Sequence, residues 1–243
     1  MEETAGATRT TGPRARYREQ TRGEIKEVSL RQLAAGGIPA IALTRIAKEL
    51  GLSGPALYRY FAGRDDLLGS LIGDAYEALA AAVATAAEES AKYTPRHRLL
   101  SLAGAARAWA VRQPHRYLLI AGSPLPGYTA PSDTLLQARA ALGPFLRVFE
   151  STRPGPAVLP LVEQMTVWAR EDRTVADWVA EYVTAPDGED RAGPALAGSV
   201  MAWTRMHGVV SLDVAGQFSG MGHKPGTLLE VEMNTLADTF GLD

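Results

Sequence analysis

Apolar residues in this chain recur at intervals of three and four, and the runs are cut into short lengths by proline and glycine. No segment sustains the period-2 alternation of a strand, so the pattern calls for an all-α fold of about nine helices. A helix is expected over 17–35, where Ile25, Val28, Ser29 and Leu33 form one stripe and Gly36-Gly37 supplies a stop. Leu43, Ile46, Ala47 and Leu50 mark a two-turn helix that ends at Gly51. Ser53 is placed to cap a third short helix, with Pro55 in its first turn and Leu57 to Phe61 in its body. A long helix follows over 67–90, with Asp65 and Asp66 at its positive end.

Beyond residue 90 the same signals predict helices over 95–112, 114–121, 132–152, 157–183, 195–218 and 227–240. Gly122 to Pro131 holds three prolines and is read as a loop. Residues 1–16 are expected to form a disordered basic arm, 17–64 a three-helix domain and 65–243 a second helical domain.

Charge divides the chain at the same place. Residues 1–64 carry 11 Lys+Arg against 6 Asp+Glu, a net +5, whereas the whole chain is −2 and the remainder is therefore −7. A basic head on an acidic body is the electrostatic footprint of a polyanion-binding module joined to something that binds no polyanion. The chain has no cysteine, which excludes disulfides, thiolate metal sites and a catalytic thiol. His97, His115, His207 and His223 show no short-spaced pairing with a carboxylate, so no metal site is expected. No cofactor is expected either, because glycine-rich phosphate loops and catalytic elbows are missing, and the chain is read as a non-enzyme. With no secretory leader and no apolar run long enough to span a bilayer, a cytoplasmic location away from membranes is expected.

Two short helices joined through Leu50-Gly51-Leu52-Ser53 have the size and turn of a helix-turn-helix, whose second helix enters the major groove. The string from Leu43 to Leu68, with its Ile46-Ala47, Gly51, Ser53, Leu57-Tyr58, Phe61, Arg64 and Leu67-Leu68, closely resembles the DNA-binding domain of TetR-family transcriptional regulators. The resemblance implies a homodimeric, ligand-responsive repressor on a near-palindromic duplex operator. Two other readings stay open: a ligand-independent regulator or activator, and an orphan small-molecule-binding helical protein or enzyme.

Ile46, Ala47, Leu50, Leu52, Leu57 and Phe61 are read as the small core that fixes the angle between the helices. Thr44, Arg45, Tyr58 and Arg59 are the candidates for hydrogen bonds to base edges or phosphates, with Arg45 the best guanine reader because its guanidinium pairs bidentately. Ser53 and Gly54 open the reading helix, and Pro55 and Ala56 offer only apolar contact. Tyr58 and Tyr60 each combine a packing ring with a hydroxyl suited to phosphate, and packing alone is the alternative. The resemblance assigns Arg64 to a phosphate. Ala42 departs from the Ser or Thr common in the family at the start of the second helix.

In the body, Arg107-Ala108-Trp109, Pro114 to Tyr117, Pro124 to Pro131 and Trp203-Thr204-Arg205-Met206-His207-Gly208 resemble a TetR subgroup named for its Trp-His-Gly element. Trp203, His207, Val210 and Val214 form one stripe, and Leu229, Met233, Leu236 and Phe240 form another. These stripes suit an intersubunit four-helix bundle or, alternatively, the core of their own subunit. Trp109, Tyr117, Met165, Trp168, Trp178 and His207 are the candidates to line a pocket for an apolar effector, with ordinary core packing as the alternative.

Overall fold

A computed structural model describes residues 12–122, 134–184 and 191–243. Among these residues there are eleven α-helices and no strand, so the all-α expectation holds and the helix count exceeds nine by two. The chain divides into two compact units, 1–71 and 72–243, in place of the expected boundary at residue 64. The arm expected over 1–16 falls largely outside the described residues.

The first unit begins with α1, Pro13–Gly36, so Pro13 to Arg16 are helical and not part of a disordered arm. Pro13 sits in the first turn, where its missing N–H costs nothing. A 3-10 turn, Ile38–Ala40, leads to α2, Leu43–Glu49, and then to α3, Gly54–Leu57. The third helix starts where the Ser53 cap and first-turn Pro55 put it, and it ends at Leu57, short of the Phe61 expected. Residues 58–60 continue as turns, with Tyr58 N bonded to the Gly54 carbonyl and Phe61 N to that of Leu57. Gly51 between α2 and α3 has φ +66°, a conformation that glycine adopts without steric cost. The core of this unit is Ile25, Val28, Leu33, Ile41, Ile46, Ala47, Leu57 and Phe61, all buried. Leu50 and Leu52, expected in that core, are half-buried.

Helix α4, Arg64–Glu89, begins in the first unit and continues unbroken into the second. It is long and apolar enough to cross a membrane, contrary to the expectation that no segment would be. Its apolar character has a local cause: Leu67, Leu71, Ala75, Leu79 and Val83 are buried inside the protein.

The second unit contains the rest of α4 and α5, Pro95–Arg112; α6, Pro114–Ala121; α7, Thr134–Val148; α8, Leu159–Glu171; α9, Arg173–Tyr182; α10, Ala192–Val214; and α11, Pro225–Thr239. Helix α10 is its centre, packing on α5, α7, α8 and α11. Its buried side is small, with Ala195, Ala197, Gly198 and Ala202, which lets neighbouring side chains approach its backbone. A Cβ at Gly198 would lie 2.2 Å from the Phe149 ring. Phe149 in turn meets Phe240 edge-on at 5.0 Å between ring centres, a favoured aromatic geometry. The chain end is pinned to α5 by Arg96, which donates to the Asp238 carboxylate at 2.6 Å and the Leu242 carbonyl at 2.8 Å.

The single helix expected over 157–183 is two helices after a 3-10 turn at Pro156–Val158. Asp172 separates them. Its carboxylate accepts from the backbone N–H groups of Thr174 at 2.9 Å and Val175 at 3.3 Å and from the Thr174 hydroxyl at 2.6 Å, which makes it the N-cap of α9. These hydrogen bonds, led by that of the Thr174 side chain, hold its carboxyl below the usual aspartate range. Most of the expected 122–131 loop lies outside the described residues, where only Gly122 is seen, as the C-cap of α6.

Candidate functional site

The first unit sets a short helix on a scaffold that fixes both its ends. At the start of α3 the Ser53 hydroxyl accepts from the Ala56 N–H at 3.3 Å, the cap expected of it. At the far end two arginines of α1 hold the chain: Arg18 donates to the Arg59 carbonyl at 3.3 Å, and Arg22 donates to the Tyr60 carbonyl. The Arg22 guanidinium also lies 4.2 Å from the centre of the Phe61 ring. Neither Arg18 nor Arg22 is among the site residues expected from the sequence. The available signal was their i, i+4 spacing with Arg14 on one face of α1.

Helix α2 is held by groups far away in sequence. The Ala42 N–H donates to the Gln32 Oε1 at 3.0 Å, so a glutamine of α1 does for this helix what the side chain of its third residue does in a capping box. The departure at Ala42 thus has a counterpart in Gln32. Arg31 and Glu49 form an exposed ion pair at 2.7 Å between α1 and α2. Asp66 reaches back to the Ala62 N–H at 2.7 Å and orders the entry into α4.

This scaffold leaves Thr44, Arg45, Ser53, Gly54, Pro55, Tyr58 and Arg59 exposed, with Ala56 and Tyr60 half-exposed. Leu57 is buried while its neighbour Tyr58 is 56% exposed, so α3 turns one side to the core and the other to solvent. Neither the Arg45 nor the Arg59 guanidinium has a hydrogen bond or ion pair among the described residues, which leaves both forks open to an external acceptor. Arg64, expected to contact phosphate, is exposed but donates to the Ile38 carbonyl at 2.7 Å and ties α4 to the 3-10 turn. The arrangement is a small rigid head presenting hydroxyls and open guanidinium groups, the donor set that reads a duplex and grips its phosphates.

In the second unit the expected pocket residues do not converge. Trp109, Tyr117 and His207 come together, with the Tyr117 hydroxyl 2.9 Å from His207 Nδ1 and Trp203 stacked on His207 at 6.0 Å. Trp109 and Tyr117 are buried, and burial pushes the Tyr117 phenol well above the ordinary tyrosine range. Trp178 belongs to a separate cluster with Val175, Val179 and Leu146, where its indole N–H donates to the Arg139 carbonyl at 3.2 Å. Met165 packs against both clusters, and Trp168 is exposed. None of the six lines the cleft of about 530 Å³ among α4, α5, α7 and α9.

The expected dimer stripes need correction. Val210, Leu229, Met233, Leu236 and Phe240 are buried in the core of their own unit, so a second subunit has no access to them. Trp203, His207 and Val214 are half-buried. The outward face of α10 is formed by Val200, Thr204, Gly208 and Leu212, and that of α11 includes Val231 and Thr235. Helical spacing alone cannot say which of two apolar-leaning stripes faces inward.

The model for the C-terminal domain described as tetracyclin repressor-like matches residues 99–236, and that of bacterial regulatory proteins, tetR family, matches residues 25–71. This chain belongs to the TetR family of transcriptional regulators. An HTH-type transcriptional regulator of Mycobacterium tuberculosis is 32% identical over 227 residues, covering 93% of this chain and 94% of that protein. Among solved structures, SCO4313, described as regulatory, is 38% identical with a TM-score of 0.74, covering 93% of this chain and all of that one. A protein of Rhodococcus sp. RHA1 shares the fold at 18% identity, with a TM-score of 0.63 and coverage of 97% and 99%. The helix-turn-helix of this family member is the exposed head built from α2 and α3.

Proposed function

We propose that this regulator is a repressor that grips a near-palindromic operator as a homodimer and lets go when a small molecule occupies its helical body. The observation that carries the reading is the pair of open guanidinium groups, Arg45 and Arg59, beside Thr44 and Tyr58 on a head where Arg18, Arg22, Arg31 and Arg64 are engaged internally. Arg45 is assigned to a base edge, and Arg59, Tyr58 and Arg64 to the backbone. The body is assigned to the Trp-His-Gly subgroup, a reading supported by the motif from Trp203 to Gly208.

Self-association is assigned to the outward faces of α10 and α11. Gly208 supports this: a Cβ there meets nothing within 4 Å among the described residues, so nothing among them asks for glycine in mid-helix. Close approach of a partner helix does. The two reading helices of such a dimer lie about 34 Å apart, one turn of duplex, or somewhat more.

Release requires the effector to favour the conformation that cannot bind DNA, because equal affinity for both shifts nothing. A hundredfold preference supplies about 2.7 kcal/mol. Helix α4 is the assigned lever, since it runs unbroken from Arg64 in the head to Glu89 in the body. These assignments place the regulator in the cytoplasm, where its operator lies. Footprinting on the DNA upstream of its own gene tests the reading: a protected inverted repeat is expected, and its absence across that region would sink it.

A further inference from the structure

A cleft of about 530 Å³ opens among the C-terminal half of α4, α5, α7 and α9. That volume lies within the range of small-molecule sites. Its apolar wall comes from Ala84 and Ala87 of α4, Ala91 just beyond it and Pro144 of α7. Tyr182 closes one side, and its ring is set by Gly143: a Cβ at that position would sit 2.1 Å from the ring, so only glycine lets the tyrosine lie against α7.

Two arginines, Arg98 and Arg147, share this lining. Arg98 Nε is buried and has no hydrogen-bond partner, which is costly for a charged donor. Burial, and then the positive charge of Arg147, lower the pKa of Arg98, with Glu150 acting in the opposite sense. Glu88 also lines the cleft, yet neither glutamate forms an ion pair with either arginine. Two like charges are therefore held beside one cavity, and one of them keeps a dry, unused N–H. A protein interior satisfies such a donor when it can, and here the satisfying group is left to come from outside.

We infer that this cleft binds a small molecule with an anionic head, a carboxylate or a phosphate, received by Arg98 and Arg147, and with an apolar body lying along Ala84, Ala87 and Pro144. The inference rests on the effector reading above and narrows it, replacing an apolar effector with an amphiphilic anion. A planar guanidinium offers forked donors that match both head groups, and the apolar wall excludes neither.

The test uses the full-length protein and isothermal titration with straight-chain carboxylates from butanoate to dodecanoate, the matching alkyl phosphates, and the primary alcohols of the same lengths as neutral controls. Saturable binding of at least one anion is expected, at least about tenfold tighter than its alcohol. Arg98→Gln and Arg147→Gln should each weaken that anion by about tenfold or more and leave the alcohol unmoved, with Arg98→Lys intermediate. Arg147 is exposed, so its variant serves should Arg98→Gln fail to fold. The better series identifies the head group. Absence of saturable anion binding in both series, equal binding by alcohols, or indifference to both substitutions overturns the proposal. Mobility shifts with unliganded protein judge the operator reading separately: an anion that binds through Arg98 yet never releases DNA supports the site and removes the gating.

Discussion

Arg22 sits across the end of the reading helix, donating to the Tyr60 carbonyl while its guanidinium stands 4.2 Å from the centre of the Phe61 ring. It fixes the segment in which Tyr58 and Arg59 point outward without itself being a reader. Arg22→Ala should cost the head about 2 kcal/mol, the sum expected of a charge-assisted hydrogen bond and a partly desolvated cation–π contact. Amide exchange in residues 58–61 should rise, and affinity for every duplex should fall by a similar factor. Protection of those amides equal to the parent's would show that Arg22 pins nothing.

The other two arginines part by the kind of loss they cause. Arg45→Ala should relax preference at one base pair by about 1–3 kcal/mol, with little change on random duplex. Arg64→Ala should weaken all sequences and reduce the salt dependence of binding by about one counterion per head. It should also loosen the junction at Ile38, because its 2.7 Å bond to that carbonyl is lost. Competition titrations at several salt concentrations separate the two. Equal losses on specific and random DNA for Arg45→Ala would remove it as a base reader.

Much of this architecture is legible in the sequence because punctuation and period agree: Gly51 and Ser53 bound the turn, and the first-turn prolines Pro95 and Pro114 each open a helix. What the sequence conceals is held by contacts between distant residues. Gln32 at Ala42 and Arg18 at Arg59 act across 10 and 41 residues, beyond the reach of any local motif. The break at Asp172 was hidden because the apolar rhythm continues through it, and only the carboxylate's bonds to Thr174 and Val175 reveal the new helix. The stripes on α10 and α11 followed the second of their two readings, with Val210, Leu229, Met233, Leu236 and Phe240 in the core of their own unit. On α10 the buried side carries Ala197, Gly198, Ala202, Met206 and Val210, and the outward face also holds apolar residues, Val200 and Leu212, so apolarity alone does not tell the two sides apart.

Asp172 gives a pH signature. Its carboxyl is depressed by the Thr174 and Val175 donors in the folded chain, so the stability it contributes is present above the ordinary aspartate value of about 3.8. That contribution is lost as pH falls through the lower folded value. Urea unfolding between pH 3 and pH 7 should show a gap between the parent and Asp172→Ala that narrows at the acid end. A gap that stays constant with pH would mean that the cap works without its charge.

Gly198 and Gly208, ten residues apart on α10, should respond oppositely to the same change. Gly198→Ala drives a methyl into the Phe149 ring and should destabilise the body by about 1–3 kcal/mol. Gly208→Ala meets open space among the described residues and gains helix propensity, so the isolated subunit should be stabilised by up to about 1 kcal/mol. If the outward face of α10 is the one buried between subunits, that second variant should dissociate more readily despite its sounder helix. Sedimentation velocity across a concentration series reads the dimer, and denaturant unfolding reads the subunit. A Gly208→Ala protein that associates as tightly as the parent would move the interface elsewhere.

Arg98 should be a liability when the cleft is empty. Its Nε is buried without an acceptor, and Arg147 adds repulsion at the same cavity. Arg98→Met keeps the length of the apolar stem and removes both the orphaned donor and the charge, so the unliganded protein should become more stable by about 1–3 kcal/mol. A gain of that size corresponds to a few degrees in Tm for a chain of this length. The direction matters more than the size, since truncating a well-partnered arginine destabilises. Added phosphate should narrow the difference by stabilising the parent and leaving the variant where it was. A lower Tm for Arg98→Met with unchanged phosphate sensitivity would show that Arg98 is satisfied within the fold and has no vacancy to fill.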